Sequence, residues 1–151
     1  MILNQETKSS ESGQSFTELA LSIVFILILL AGIVDLGRMM FVFVALRDAA
    51  QEGAAYASFC PADTPGIQAR ARASSTAPVN LFDSTNIAII ISPDCTAPAN
   101  AALCEVGDGI SVTVSSPTFP MTMPFLGGVT IPLSARVTDS IITVVEDCPP
   151  G

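Results

Sequence analysis

From Leu19 to Val34 the chain reads LALSIVFILILLAGIV without a charge, bounded by Glu18 and Asp35. A helix needs about 20 apolar residues to cross the hydrocarbon of a bilayer. The uncharged run is slightly short of that, and Phe16 beyond Glu18 and Leu36 beyond Asp35 extend the apolar trend on either side, which predicts a span at about residues 16–38. Residues 1–13, MILNQETKSSESG, are polar and have no apolar period. They are expected to be disordered or removed. A secretory signal peptide fits poorly, because the segment before the run is not basic and the apolar core is longer than the usual h-region.

The helical pattern outlasts the span. Residues 36–58, LGRMMFVFVALRDAAQEGAAYAS, contain no proline and many helix formers. Ala45, Ala49, Gly53 and Ala57 recur every four residues and share a face, with Ala50, Ala54 and Ser58 in a row beside them. Two readings stay open for this strip: a second backbone packs closely there, or the helix packs on its own domain. Cys60-Pro61 ends the pattern, so one helix is expected from Gln14 to about Phe59.

Beyond Pro61 the texture changes. Gly66–Ser75 reads as a short exposed helix carrying Arg70 and Arg72. Asn86–Ser92 is a β-branched run, and Gly109–Ser116 alternates with Ile110, Val112 and Val114 on one face. Val129–Arg136 and Val137–Val145 read as two further strands, the first an edge or bulged strand because of Pro132. Pro117–Gly128, PTFPMTMPFLGG, reads as an apolar, proline-rich loop. Short connections between successive strands favour an antiparallel meander, its apolar face on the outer half of the long helix. The fold class is therefore α+β, with a leader at 1–13, a long helix at 14–59 and a small β-rich domain at 60–151.

Composition sharpens this picture. Half of the 151 residues are apolar and 13% are charged, too apolar for an ordinary soluble domain. Six Lys+Arg against fourteen Asp+Glu leave a net charge of -8, a poor match for nucleic acid. There is no histidine, which removes His-based triads and most catalytic metal sites. No nucleophile elbow, P-loop or metal-ligand cluster is present in the sequence. Neither an enzymatic activity nor a cofactor nor a small-molecule substrate is expected.

The four cysteines, Cys60, Cys95, Cys104 and Cys148, all follow the apolar run and form no C-x-x-C pair. An even number beyond a membrane segment reads as two disulfides in an oxidising compartment. Three connectivities are open. The preferred one joins Cys95 to Cys104 across a loop between strands and leaves Cys60 for Cys148. The charge bias runs against this orientation, because Arg38 and Arg47 would favour the cytoplasm by the positive-inside rule. The position of the cysteines is given the greater weight.

Gly13-Gln14-Ser15-Phe16-Thr17-Glu18 stands at the mouth of the apolar run. It resembles a type IV-like prepilin processing site, with Gly13 as the last leader residue and Glu18 as the fifth residue after the cut. A glycine fits a protease cleft in extended form. A carboxylate facing lipid is costly and normally paired; the resemblance implies pairing with the N-terminal amine of a neighbouring subunit. The bland reading of Glu18 is an interfacial charge favoured by the helix dipole.

Gln14 and Glu18, then Gly32-Ile33-Val34-Asp35-Leu36-Gly37-Arg38, then Ala45 to Ala57, are similar to the N-terminal segment of TadE-like minor pilins of tight-adherence pili. A weaker similarity continues through Val112–Val114, Gly127-Gly128 and Ile131–Arg136. The resemblance implies a pilin-like fold and a minor pilin or pseudopilin cut by a prepilin peptidase. Its implied partners are the membrane, other pilin subunits and the pilus assembly machinery. It places the chain in the cytoplasmic membrane, or in an extracellular pilus, with the C-terminal domain outside the cytoplasm. The alternative is a non-polymerising, single-pass anchored binding domain. Asp35 and Arg38, three residues apart, are a candidate helix ion pair, read either as a subunit contact or as an interfacial pair that only anchors.

Overall fold

A computed structural model of the chain describes residues 11–74, 86–123, 128–144 and 148. Residues 1–10 of the expected leader, Ser75, residues 124–127 of the expected loop and Val145 lie outside the described residues. The elements are α1 (Glu11–Ala57), α2 (Thr64–Ala73), β1 (Ala88–Ser92), a short 3₁₀ helix (Pro98–Leu103), β2 (Gly109–Pro120) and β3 (Thr130–Ser140).

α1 is 47 residues long, roughly 70 Å at 1.5 Å per residue. It begins three residues before the expected Gln14, so the end of the expected leader is helical. It ends at Ala57 rather than Phe59, although helix-type bonds run on: the Ser58 amide donates to the Ala54 carbonyl and the Cys60 amide to Tyr56. Pro61 has no amide hydrogen with which to continue.

The chain turns and α2 starts on a built cap. Asp63 accepts from the Gly66 amide at 3.1 Å, and Pro65 occupies the first turn, where its missing donor costs nothing. Tyr56 donates to the second oxygen of Asp63 at 2.8 Å, which ties α2 to α1. Ile67 and Ala71 then face inward.

The three strands form one antiparallel sheet in the order β1-β2-β3. Ile91 lies opposite Val112 and Ile89 opposite Val114; on the other side Val112 faces Val137 and Val114 faces Ala135. Ile110, Val112 and Val114 are fully buried against α1, the alternation read from sequence. The opposite face is more polar, and Arg136 reaches across it to donate to Ser111.

Two expectations are corrected here. Val129–Arg136 and Val137–Val145 are not two strands: β3 runs unbroken through the Arg136-Val137 junction and ends at Ser140. No turn residue stands at that junction to reverse the chain. The expected loop at Pro117–Gly128 also begins later, because β2 continues to Pro120. Its prolines are accommodated by a register shift. Ser116 pairs with Leu133 and Phe119 with Ile131, so Pro117 and Thr118 stand opposite Pro132 alone. Both prolines lack a ladder donor, and the irregularity falls where they meet. Pro132 thus lies on an edge strand and at a bulge.

The core sits between the second half of α1, α2 and the sheet. Leu46, Ala49, Ala50, Ala54 and Ala57 of α1 meet Ile67, Ala71, Ile110, Val112, Val114 and Ala135. A Cβ on Gly53 would lie 3.2 Å from Val112 and 3.3 Å from Ala71. Of the two readings for the small-residue strip, packing within the chain accounts for it: the close neighbours are α2 and the sheet.

Cys60 is bonded to Cys148, and Cys95 to Cys104, with Cα–Cα separations of 6.0 and 5.8 Å. The first bridge fastens the C-terminal segment to the end of α1, where the Ile142 amide also donates to Ser58. The second closes the loop between β1 and β2.

Candidate membrane and subunit interface

The sheet covers only one face and one half of α1. Burial follows a helical line through Asp35, Val42, Leu46, Ala49, Gly53 and Ala57, with spacings of three, four and seven. Before Ile28 every residue from Gly13 onward is exposed. Phe16, Leu21, Phe25 and Leu29 are each more than 60% exposed. Of the most apolar stretch of α1, 6% is buried. A core helix of similar length would be largely covered, so this half of α1 needs lipid or a partner to remove its apolar surface from water. It is long and apolar enough to cross a membrane once.

The expected processing residues lie at its start. Gly13 is inside the first turns of α1, and a Cβ there would meet nothing within 4 Å. Gln14 and Glu18 are one turn apart, and the Gln14 amide nitrogen lies 3.4 Å from the Glu18 carboxylate. Thr17 and Ser22 bond back to the helix carbonyls of Gln14 and Glu18. Among the described residues Glu18 has no cationic partner. The structure thus puts Gly13, Gln14 and Glu18 together on a bare apolar helix, with the Glu18 carboxylate turned outward.

Asp35 is different. It is 2% exposed although it stands at the end of the uncharged run. Its carboxylate accepts from the Thr122 amide at 2.9 Å, the Met123 amide at 2.7 Å and the Thr122 hydroxyl. Arg38, one turn on, lies 3.4 Å from Asp35 and donates to the Thr122 hydroxyl at 3.1 Å. Its guanidinium also rests 5.6 Å from the centre of the Phe119 ring. The candidate pair Asp35–Arg38 is therefore a clasp on the β2–β3 hairpin, a use that neither sequence reading contained. Thr122, Met123 and Phe119 were missed as its partners. One signal was available: a carboxylate at the end of a lipid-like run requires partners, and hydroxyls or free amides of a proline-broken segment can supply them.

Cys95, Cys104, Cys60 and Cys148 lie at the other pole, away from the apolar half of α1. Among the described residues no cluster of acidic or cysteine side chains is arranged to hold a metal ion. A shallow, polar cleft of about 460 Å³ lies between α1 and α2, lined by Asp48, Gln51, Glu52 and Arg70.

Comparison with curated proteins and with solved structures returns no match. The sheet, where the weaker similarity to TadE-like pilins rested, lies outside the family match that does emerge. Residues 13–55 match the model of the family described as TadE-like protein, so over this segment, which is nearly all of α1, the chain is similar to that family.

Proposed function

We propose that this protein is a minor pilin or pseudopilin of a tight-adherence-type pilus. In this reading a prepilin peptidase cuts after Gly13, leaving Gln14 as the first residue and Glu18 as the fifth. The observation that carries it is the coincidence of a TadE-like segment at 13–55 with a helix left bare over its first half. α1 then serves twice. It anchors the chain in the cytoplasmic membrane before assembly, and it packs among other subunits afterwards.

The outward carboxylate of Glu18 supports this use, because a charge on an apolar helix must find a partner outside the chain. The cut requires α1 to fray at its first turns, and Gly13, a poor helix former, lowers that cost by about 1 kcal/mol relative to alanine. The disulfide-bonded domain faces the oxidising side, where it contributes to assembly, adhesion or secretion.

Intact-mass measurement on the chain from cells with an active prepilin peptidase tests the processing step. A mature N-terminus at Gln14 is expected, and a chain that retains Met1 overturns it. Glu18→Ala tests assembly: the variant should reach the membrane and fail to enter sheared pili. A native chain that keeps its leader and is absent from sheared pili, with Glu18→Ala indistinguishable from it, would favour the alternative, a membrane-anchored extracytoplasmic domain that does not polymerise.

A further inference from the structure

The depth of the segment that follows β2, Met121–Met123, is set by the length of α1 that spans the bilayer. Gln14 and Ser15 are polar, so the hydrocarbon cannot begin before Phe16. About 20 helical residues cross it, which places its far edge at Asp35 or beyond. If it begins after Glu18, or if the helix tilts, the edge moves further toward Arg38. Gly32 is inside the hydrocarbon on every such placement.

The Met123 side chain packs on that glycine. A Cβ on Gly32 would lie 3.5 Å from Met123 Cε and 3.7 Å from its sulfur. Ile28, Ala31 and Gly32 are partly covered, in contrast to the exposed residues around them. Non-helical backbone at this depth must have its amides satisfied, because no water is there to do so. The Thr122 and Met123 amides both donate to Asp35. Conversely, a carboxylate at this depth needs partners, and it has these two amides, the Thr122 hydroxyl and Arg38. Arg38 lies on the side away from the bilayer centre, as a snorkelling cation does.

We propose that Met121–Met123, the segment that follows β2, dips into the outer edge of the bilayer, with Asp35 replacing water as the acceptor for the Thr122 and Met123 amides. This rests on the reading of α1 as a membrane span. The domain then has a second contact with lipid besides the helix. That contact fixes its rotation about α1 and its height above the membrane.

All four native cysteines are paired, so an introduced cysteine takes a thiol-reactive fluorophore selectively. The full chain carrying Met123→Cys is labelled and placed in phosphatidylcholine–phosphatidylglycerol vesicles. Quenching by nitroxide-bearing lipid is compared with quenching by aqueous iodide. Leu27→Cys, in the middle of the span, and Thr138→Cys, on the outer strand, are the references.

The Met123 label should lose emission to nitroxide lipid much as the Leu27 label does, and be shielded from iodide relative to Thr138. Adding Asp35→Ala should move it toward the Thr138 pattern. Lipid quenching at Leu27 with iodide quenching at Met123 overturns the inference and leaves the span intact. Failure of lipid quenching at Leu27 overturns the span itself. Shielding of Met123 from both quenchers identifies protein, such as a second copy, as the occupant and rejects lipid. A pattern unchanged by Asp35→Ala rejects the role given to that carboxylate.

Discussion

At the scale of single residues, Tyr56, Asp63 and Arg70 form a small unit that joins α1 to α2. Burial pushes the Tyr56 phenol above its ordinary pKa, and the Asp63 carboxylate that accepts its hydrogen bond pushes it further; Arg70, 5.5 Å from the ring centre, acts in the opposite sense. The folded state thus favours the protonated phenol. Its contribution is present in full below the unfolded tyrosine value and is lost as pH rises through the folded one. Tyr56 is the only tyrosine and there is no tryptophan, so phenolate absorbance reads it alone. Its midpoint should lie above that of the unfolded chain and fall in Asp63→Asn. A midpoint equal to the unfolded one would remove Tyr56 from the cap. Asp63→Ala also takes the acceptor from the Gly66 amide, and should cost about 0.5–2 kcal/mol in denaturant unfolding of the detergent-solubilised chain.

At the scale of elements, the sheet is held to α1 by small residues on the helix and larger ones around it. Leu46 is the exception, a large side chain that is fully buried. Leu46→Ala should cost about 2–5 kcal/mol. Gly53→Val should be destabilising by about 1–3 kcal/mol, because Val112 and Ala71 already crowd that position. Gly37→Val, where a Cβ meets nothing within 4 Å, should leave the domain intact. Equal effects at the two glycines, measured by urea unfolding, would contradict the packing described.

These elements were unequally legible. The apolar run, the alternation of Ile110, Val112 and Val114, and the helix stop at Cys60-Pro61 all carry local signals, and each fell where expected to within a few residues. β3 covers what reads from sequence as two strands, Val129–Arg136 and Val137–Val145, because no local signal at Arg136-Val137 shows that one strand runs through it. Pairing with β2 holds the strand straight, and the bulge opposite Pro117 absorbs the proline. Of the Asp35 clasp only the Arg38 pair was legible, from its spacing of three residues; the Thr122 and Met123 donors lie 87 and 88 residues away in the chain. Only the sheet register brings them back to the helix.

At the scale of the whole molecule, α1 is a shared spine. Its first half is bare, and its second half is the inner wall of the domain. The domain is closed at the far pole by the Cys60–Cys148 bridge, whose ends are 88 residues apart. Removing it should cost up to about 4–5 kcal/mol by the chain-entropy relation, against about 2–3 kcal/mol for the nine-residue Cys95–Cys104 loop. Tyr56 emission during urea unfolding of the Cys60→Ser/Cys148→Ser and Cys95→Ser/Cys104→Ser chains would measure the difference, and a reversed order would show that local strain or residual structure outweighs loop length.

The central claim is that α1 carries this domain across a membrane to an oxidising side. Thiol trapping in the native host tests it most directly: cells are lysed into denaturant with a maleimide-polymer, with and without prior reduction. The account predicts a membrane-bound chain with no adduct before reduction and four after it, one for each cysteine. Four adducts without reduction, on a chain found in the soluble fraction, would contradict it.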